Sequence, residues 1–536
     1  MRGRGAFAAA IGALLLIPAT ALGADPPPGA QMSSNLEYVK WIPDTREVVE
    51  GKFDEVRGRD ILVLTGRFGF KTLDVSDPAN PKPLDSFLPA ELAEGGYWQN
   101  EDMELDTRRK LIIGALDPRH TQAPITTCPA GGSTSNPNCT SGFYVISYAD
   151  PKNLRQIGEF VTLPSGHTSS CIQDCRYIWT GGPARRDDQS WLGTIIEADD
   201  TQPVTLANRL IGHGRPIWVT DLRDPAHPRV SDEPVDLWRN DGYTDYSHDV
   251  DEDDRGIAWV AGRGGIRGYA TKGRHRDPYQ NRWRKATPFD PILVAGGGVQ
   301  WDDPDVPDDN GVAQATDFMH NSGRPTDGSV RASGVKGGSV LVGTEEDFQP
   351  ECGNDGRIVT VDLTDSWGGE PAQQSTRTNP YRMKALDSFH PLRDTPETTD
   401  GTLGGCSAHY FEIEGPMLAA AFYNQGLRLL DIHNARDLRQ VGYYRVTTPA
   451  GGNADVDPTS NSWDTAFRSD RKKGDLIYLF DMDRGVEVLR LKKGAHGARK
   501  MKSVTAPSVR NAKYSSKPVA GLARTASGGF VCPLFQ

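Results

Sequence analysis

The chain has 536 residues and a net charge of −11, a length that calls for two to four domains or one large repetitive one. Gly and Pro together make 96 residues, and hydrophobic residues make up 37%. This profile excludes a multi-span membrane protein, a long-helix protein and a general nucleic-acid binder. Its 11 Trp, 16 Tyr and 17 Phe argue against wholesale disorder, and many short strands joined by turns would fit it.

At the N-terminus, Arg2 and Arg4 precede the apolar run Ala6 to Leu22. Ala19-Thr20-Ala21 and Ala21-Leu22-Gly23 are both small-x-small cleavage candidates, so residues 1–23 read as a secretory signal and 24–35 as a linker. The run is short for a membrane span, and no second apolar stretch follows. The expected mature protein is a secreted or cell-surface monomer without a transmembrane segment.

Residues 61–87 then read ILVLTGRFGFKTLDVSDPANPKPLDSF. Two short apolar strands flank a glycine turn, and an Asp-Pro step leads to a third strand. Proline fixes φ and the Asp can bond its own backbone, so the step is a turn. Related passages open at Phe143, Pro216, Arg357, Gly426 and Gly485. HDVDEDDRGIAWVAGRGGIRGY (248–269) shows a further strand ahead of such a pair. Four strands per unit at this period predict an all-β fold, a seven-bladed β-propeller of four-stranded antiparallel blades. The units begin near residues 53, 100, 166, 247, 319, 408 and 463, with long insertions at 115–142, 183–215, 270–316 and 366–405. The last unit lacks an outer strand, and LEYVKWIP (36–43) resembles the fourth strands of other units. An N-terminal strand therefore closes the ring, which spans 36–493 and removes exposed sheet edges.

From Lys492 to the C-terminus there are nine Lys/Arg and no Asp or Glu. The extension therefore carries +9, leaving −20 for the rest. Residues 494–536 read as a basic flexible tail, either solvated or an electrostatic tether to anionic wall polymer or to the acidic body. The seven cysteines fit an oxidising compartment. Plausible pairs are Cys128–Cys139, Cys171–Cys175 across a tight turn, and Cys352–Cys406, with Cys532 left over.

The VSDPANP phrase and the Val-, Leu- and Asp-rich strands before it resemble the LVIVD-repeat proteins, bacterial and archaeal secreted or surface proteins. The resemblance covers residues 36–493 and implies a β-propeller and secretion, but no established reaction.

The most informative polar pattern lies in the first strand of the units, which lines the channel of a propeller. His167 stands ten residues before Tyr177, His248 nine before Ile257, and His409 nine before Leu418. His320 opens its own unit, and Glu101 stands ten before Leu111. Asp464 is the counterpart in blade seven, and Phe53–Glu55 in blade one. Imidazoles and a carboxylate facing one another around a ring would suit iron, copper, zinc or manganese. By architecture alone, the arrangement parallels carotenoid-cleavage enzymes, which hold ferrous iron with four histidines in a seven-bladed propeller. The other reading is structural, with histidines bonding carbonyls of adjacent blades. Asp249 and Asp251 would orient the imidazoles or serve as turn residues. Asp302, Asp303 and Asp305, in an acidic loop, are candidates for calcium. Ser165-Gly166-His167 and Ser247-His248-Asp249 lack a nucleophile elbow.

Two functions follow. One is a propeller with a metal or ligand site at the channel mouth, acting as an oxidoreductase or hydrolase. The other is a non-catalytic scaffold that recognises a small molecule, extracellular polymer or protein through its blade loops.

Overall fold

The Asp-Pro steps fold as their chemistry requires. Through Oδ1, Asp77, Asp150 and Asp224 accept the backbone N–H of Ala79, Lys152 and Ala226 at 3.1–3.2 Å. Asn434 stands in for Asp in a fourth copy, accepting from Arg436 at 3.2 Å. The turns at Asp150 and Asn434 then dock on the blade before them. Thr72 Oγ1 donates to the Pro151 carbonyl and Thr360 Oγ1 to the Ala435 carbonyl, both at 2.6 Å. Asp85 accepts the Leu154 N–H at 2.6 Å, and Asp387 accepts that of Leu438 at 2.7 Å. The repeated phrase is thus both a turn and a joint between blades.

A computed structural model describes residues 24–89, 101–116, 142–163, 166–182, 216–232, 234–236, 246–263, 265–277, 280–296, 319–346, 356–364, 384–391, 406–447, 459–468, 475–492 and 494–504. These form seven antiparallel blades in a ring. The innermost strands are, in order, Val48–Val56, Met103–Asp106, Thr168–Ile172, Tyr246–Glu252, Met319–Gly323, Phe411–Glu414 and Ser462–Arg468. Blade seven is completed by Leu36–Ile42, which pairs with Gly485–Leu491, so the expected N-terminal closure is observed.

The core is divided by interface. One apolar cluster lies between each pair of neighbouring blades, seven in all. The cluster joining blades seven and one contains Val39, Leu62, Leu64, Tyr478 and Phe480. Central strands are buried on both faces and read as continuous apolar runs, such as Leu111–Leu116 and Met417–Phe422.

Several boundaries differ from expectation. Blade one begins at Val48, five residues before the expected start, because its polar innermost strand carries no histidine to mark it. Ile292–Gly296 and Lys384–Phe389 are the fourth strands of blades four and five. They fall inside segments read as insertions, because a hairpin (Arg274–Asp277 with Arg282–Lys285) or a long connection separates them from their partners. Ala30–Met32, read as linker, pairs with Arg439–Val446 as a fifth strand of blade six.

Residues 494–504, read as the start of the tail, pack against blades six and seven. Ala495 and Ala498 are fully buried, and the Val504 N–H donates to the Gln440 carbonyl at 2.9 Å.

Cys171 and Cys175 are disulfide-bonded across a turn in which Gln173, Asp174 and Cys175 all have φ near +55°. Cys406 is disulfide-bonded, and its expected partner Cys352 lies outside the described residues. So do residues 1–23, Cys128, Cys139, Cys532 and the acidic loop with Asp302, Asp303 and Asp305. Among the described residues no helix is long and apolar enough to cross a membrane.

Candidate metal centre

The innermost strands deliver their polar residues to the channel through a shared irregularity. The pairing register shifts between Ser247 and Asp249, between Met319 and Ser322, and between Ser462 and Asp464. A bulge of this kind leaves an extra residue unpaired and re-aims it. His248, Trp463 and, together with Asn321, His320 are those residues. Val48/Glu50 shows the same shift, so Val49, not Phe53–Glu55, is the counterpart in blade one. Trp463, not Asp464, takes that place in blade seven. Val49, Trp463, Tyr423 and Met482 form an apolar wall beside the site.

Glu101, His167, His248, His320 and His409 converge, and all are fully buried. Glu101 is the hub. One of its oxygens lies 2.9 Å from His167 Nε2. The other lies 2.9 Å from Nε2 of both His320 and His409 and 3.8 Å from that of His248. His167 and His248 present their Nε2 atoms to each other at 2.8 Å. Neighbouring imidazoles pack with ring centroids 4.0–4.5 Å apart.

The outward-facing nitrogens decide the protonation state. His248 Nδ1 donates to the His320 carbonyl at 2.8 Å, and His409 Nδ1 to the Trp463 carbonyl at 2.6 Å. A carbonyl only accepts, so each Nδ1 carries a proton and each Nε2 faces inward. The ring orientation therefore comes from the next blade's backbone. For these two rings the carbonyls take the place expected for Asp249 and Asp251, which line the cavity beneath the cluster.

Burial holds His248 well below the usual imidazole range, aided by the charges of His320 and His167. Burial likewise brings His320 to about 3. Burial alone would raise Glu101. The charge of His167 and hydrogen bonds from His167, His320 and His409 override it and hold the carboxyl well below its ordinary range.

Glu346 was not anticipated. It follows the second strand of blade five, with Oε2 3.6 Å from His320 Nε2, and its other oxygen accepts the Tyr423 hydroxyl hydrogen. The only sequence signal was an acidic pair, Glu345-Glu346, ending an apolar strand. Two groupings bring three ligand atoms within 4.8 Å of one another: Glu101 with His248 and His320, and Glu346 with His320 and His409.

Fold and site define a seven-bladed β-propeller with a buried histidine–carboxylate cluster at its centre. The extracellular domain of BT4673 from B. thetaiotaomicron is similar to it with a TM-score of 0.41 and 10% identity, over 85% of this chain and 40% of that one; a second structure of that domain gives 0.41 and 10%, over 85% and 39%. The chain thus spans about two fifths of that domain's length. The computationally designed protein Ika8 gives 0.38 and 8%, over 84% and 98%. No family model and no curated protein matches the chain.

Proposed function

We propose that the protein is a secreted or cell-surface propeller of the LVIVD-repeat type, whose channel binds a divalent transition metal on His167, His248, His320 and His409 with Glu101. The observation that carries this reading is the convergence of four buried Nε2 atoms on one buried carboxylate. Three of them lie 2.9 Å from a Glu101 oxygen, and those of His167 and His248 lie 2.8 Å apart. Ligands about 2.1 Å from one octahedral ion stand about 3 Å apart, close to these separations. Imidazoles anchored through Nδ1–H to carbonyls are the usual state of histidine ligands. A disulfide at Cys171–Cys175 supports an oxidising compartment. Iron, copper, zinc and manganese all suit the donor set. Bound there, the metal would act as a Lewis acid or redox centre.

The test is elemental analysis of protein purified without a metal-affinity tag. Near-stoichiometric transition metal is expected, and a folded His248→Ala/His409→Ala variant should lose it. A folded wild type that takes up no metal under any reconstitution condition would overturn the reading and leave the histidines as ties between blades.

A further inference from the structure

Directly beneath the histidine–carboxylate cluster, the channel widens into a cavity of about 910 Å³. Its first wall residues follow the cluster in sequence: Asp102 after Glu101, Asp249 after His248, and Tyr410 after His409. The wall is acidic. Lys52 shows how it holds a cation, with its ammonium 3.0 Å from Glu104, 3.2 Å from Glu50 and 4.0 Å from Asp102. Opposing carboxylates on blades four, six and seven (Asp249, Asp251, Glu412 and Asp464) have no ion-pair partner among the described residues. Lys52 is the cation whose charge reaches all four.

A second observation points to a missing occupant. Tyr410 is 9% exposed and Ser322 3% exposed, and both line the cavity. Neither hydroxyl has a hydrogen-bond partner among the described residues. The Tyr410 ring is fixed against His320 and His409, with centroids 4.6 and 4.9 Å apart. A buried hydroxyl without a partner is costly, and here two of them share a cavity with carboxyl groups that have no ion-pair partner among the described residues.

The shape of the site selects the ligand class. The volume lies within the roughly 300–1,000 Å³ of small-molecule sites, far beyond the needs of one ion. Among the described residues none of these four carboxylates belongs to a grouping of three ligand atoms within 4.8 Å of one another, so one ion with oxygen ligands at about 2.3–2.6 Å does not gather them. Phe411, Ile413 and Phe467 interleave with them and provide apolar surface for methylene groups.

We propose that the channel cavity binds a free oligoamine, an organic cation with two or more ammonium groups on a methylene chain. Its charges lie among Asp249, Asp251, Glu412 and Asp464, and an N–H reaches the Tyr410 oxygen. Titration calorimetry of the full-length protein with spermine at about 0.15 M salt tests this. Saturable binding is expected. Glu412→Gln/Asp464→Asn should weaken it at least about tenfold, and Tyr410→Phe about three- to tenfold, the range for losing a charged or a neutral hydrogen bond. Absence of saturable binding to the wild type overturns the proposal. So does unchanged affinity in the folded double variant, which would assign binding to the overall negative charge. Equal displacement by magnesium at the same charge concentration would define a simple cation site and overturn it as well. Tyr410→Phe removes one oxygen from the wall, so it reads out the site even where the double variant fails to fold.

Discussion

The residue with the most distinctive surroundings is Glu101. A fully buried carboxylate is costly unless positive charge or hydrogen bonds surround it, and Glu101 has four imidazole nitrogens within 3.8 Å. Glu101→Gln keeps the shape and removes the charge. Metal affinity should fall by at least the ~10–100-fold typical of losing an outer partner, while the circular dichroism spectrum stays that of the wild type. Unchanged metal affinity, measured by competition with a chelator, would remove Glu101 from the ligand set. The histidine positions were legible because the first-strand spacing repeats. Trp463 and Glu346 were not, since a bulge shifts facing by one residue and a ligand can enter from a neighbouring strand.

At the scale of the element, ring closure rests on one seven-residue strand. Leu36 is 2% exposed and packs with Leu489, Leu491 and blade-six residues in a single cluster. Leu36→Ala should therefore destabilise the whole ring by about 2–5 kcal/mol, the usual cost for a buried leucine, as measured by denaturant unfolding. A loss under about 0.5 kcal/mol, the scale of an ordinary surface substitution, would mean that the closing strand is dispensable. The strand was recognisable in sequence because LEYVKWI alternates like the outer strands it replaces. Ala30–Met32 was not, since three residues are too few to show a period.

For the whole molecule, charge in the channel couples stability to pH. Burial raises Asp464 and Asp481 to about 7 and Glu50 well above its ordinary value. Between about pH 4 and 7 the native state therefore holds protons that the unfolded chain has released, and stability falls as pH rises through this window. Glu101 is shifted the other way, and its contribution is lost only below about pH 4.5. His248 and His320, lowered by burial, also oppose the trend and lose stability as pH falls below about 6.5. The raised carboxyls outnumber them, with Asp251 at about 7 and Glu412 and Asp483 at about 8. The metal-free protein should melt roughly 5–10 °C higher at pH 5 than at pH 8, as scanning calorimetry can measure. A melting temperature that is flat or rises with pH would contradict this account of the channel.

The sequence by itself determined the repeat, the number of blades, the closing strand and the positions of four histidines and Glu101. These are local properties: strand alternation, Asp-Pro turns and fixed spacing within a unit. Tertiary structure decided the rest. It showed that the five polar residues meet, that the next blade's carbonyls take the Nδ1 protons, and that Asp249 and Asp251 belong to a cavity below the site. Each depends on the register between blades and on bulges in the innermost strands. Register is set by packing across seven interfaces, and no single strand's sequence records it.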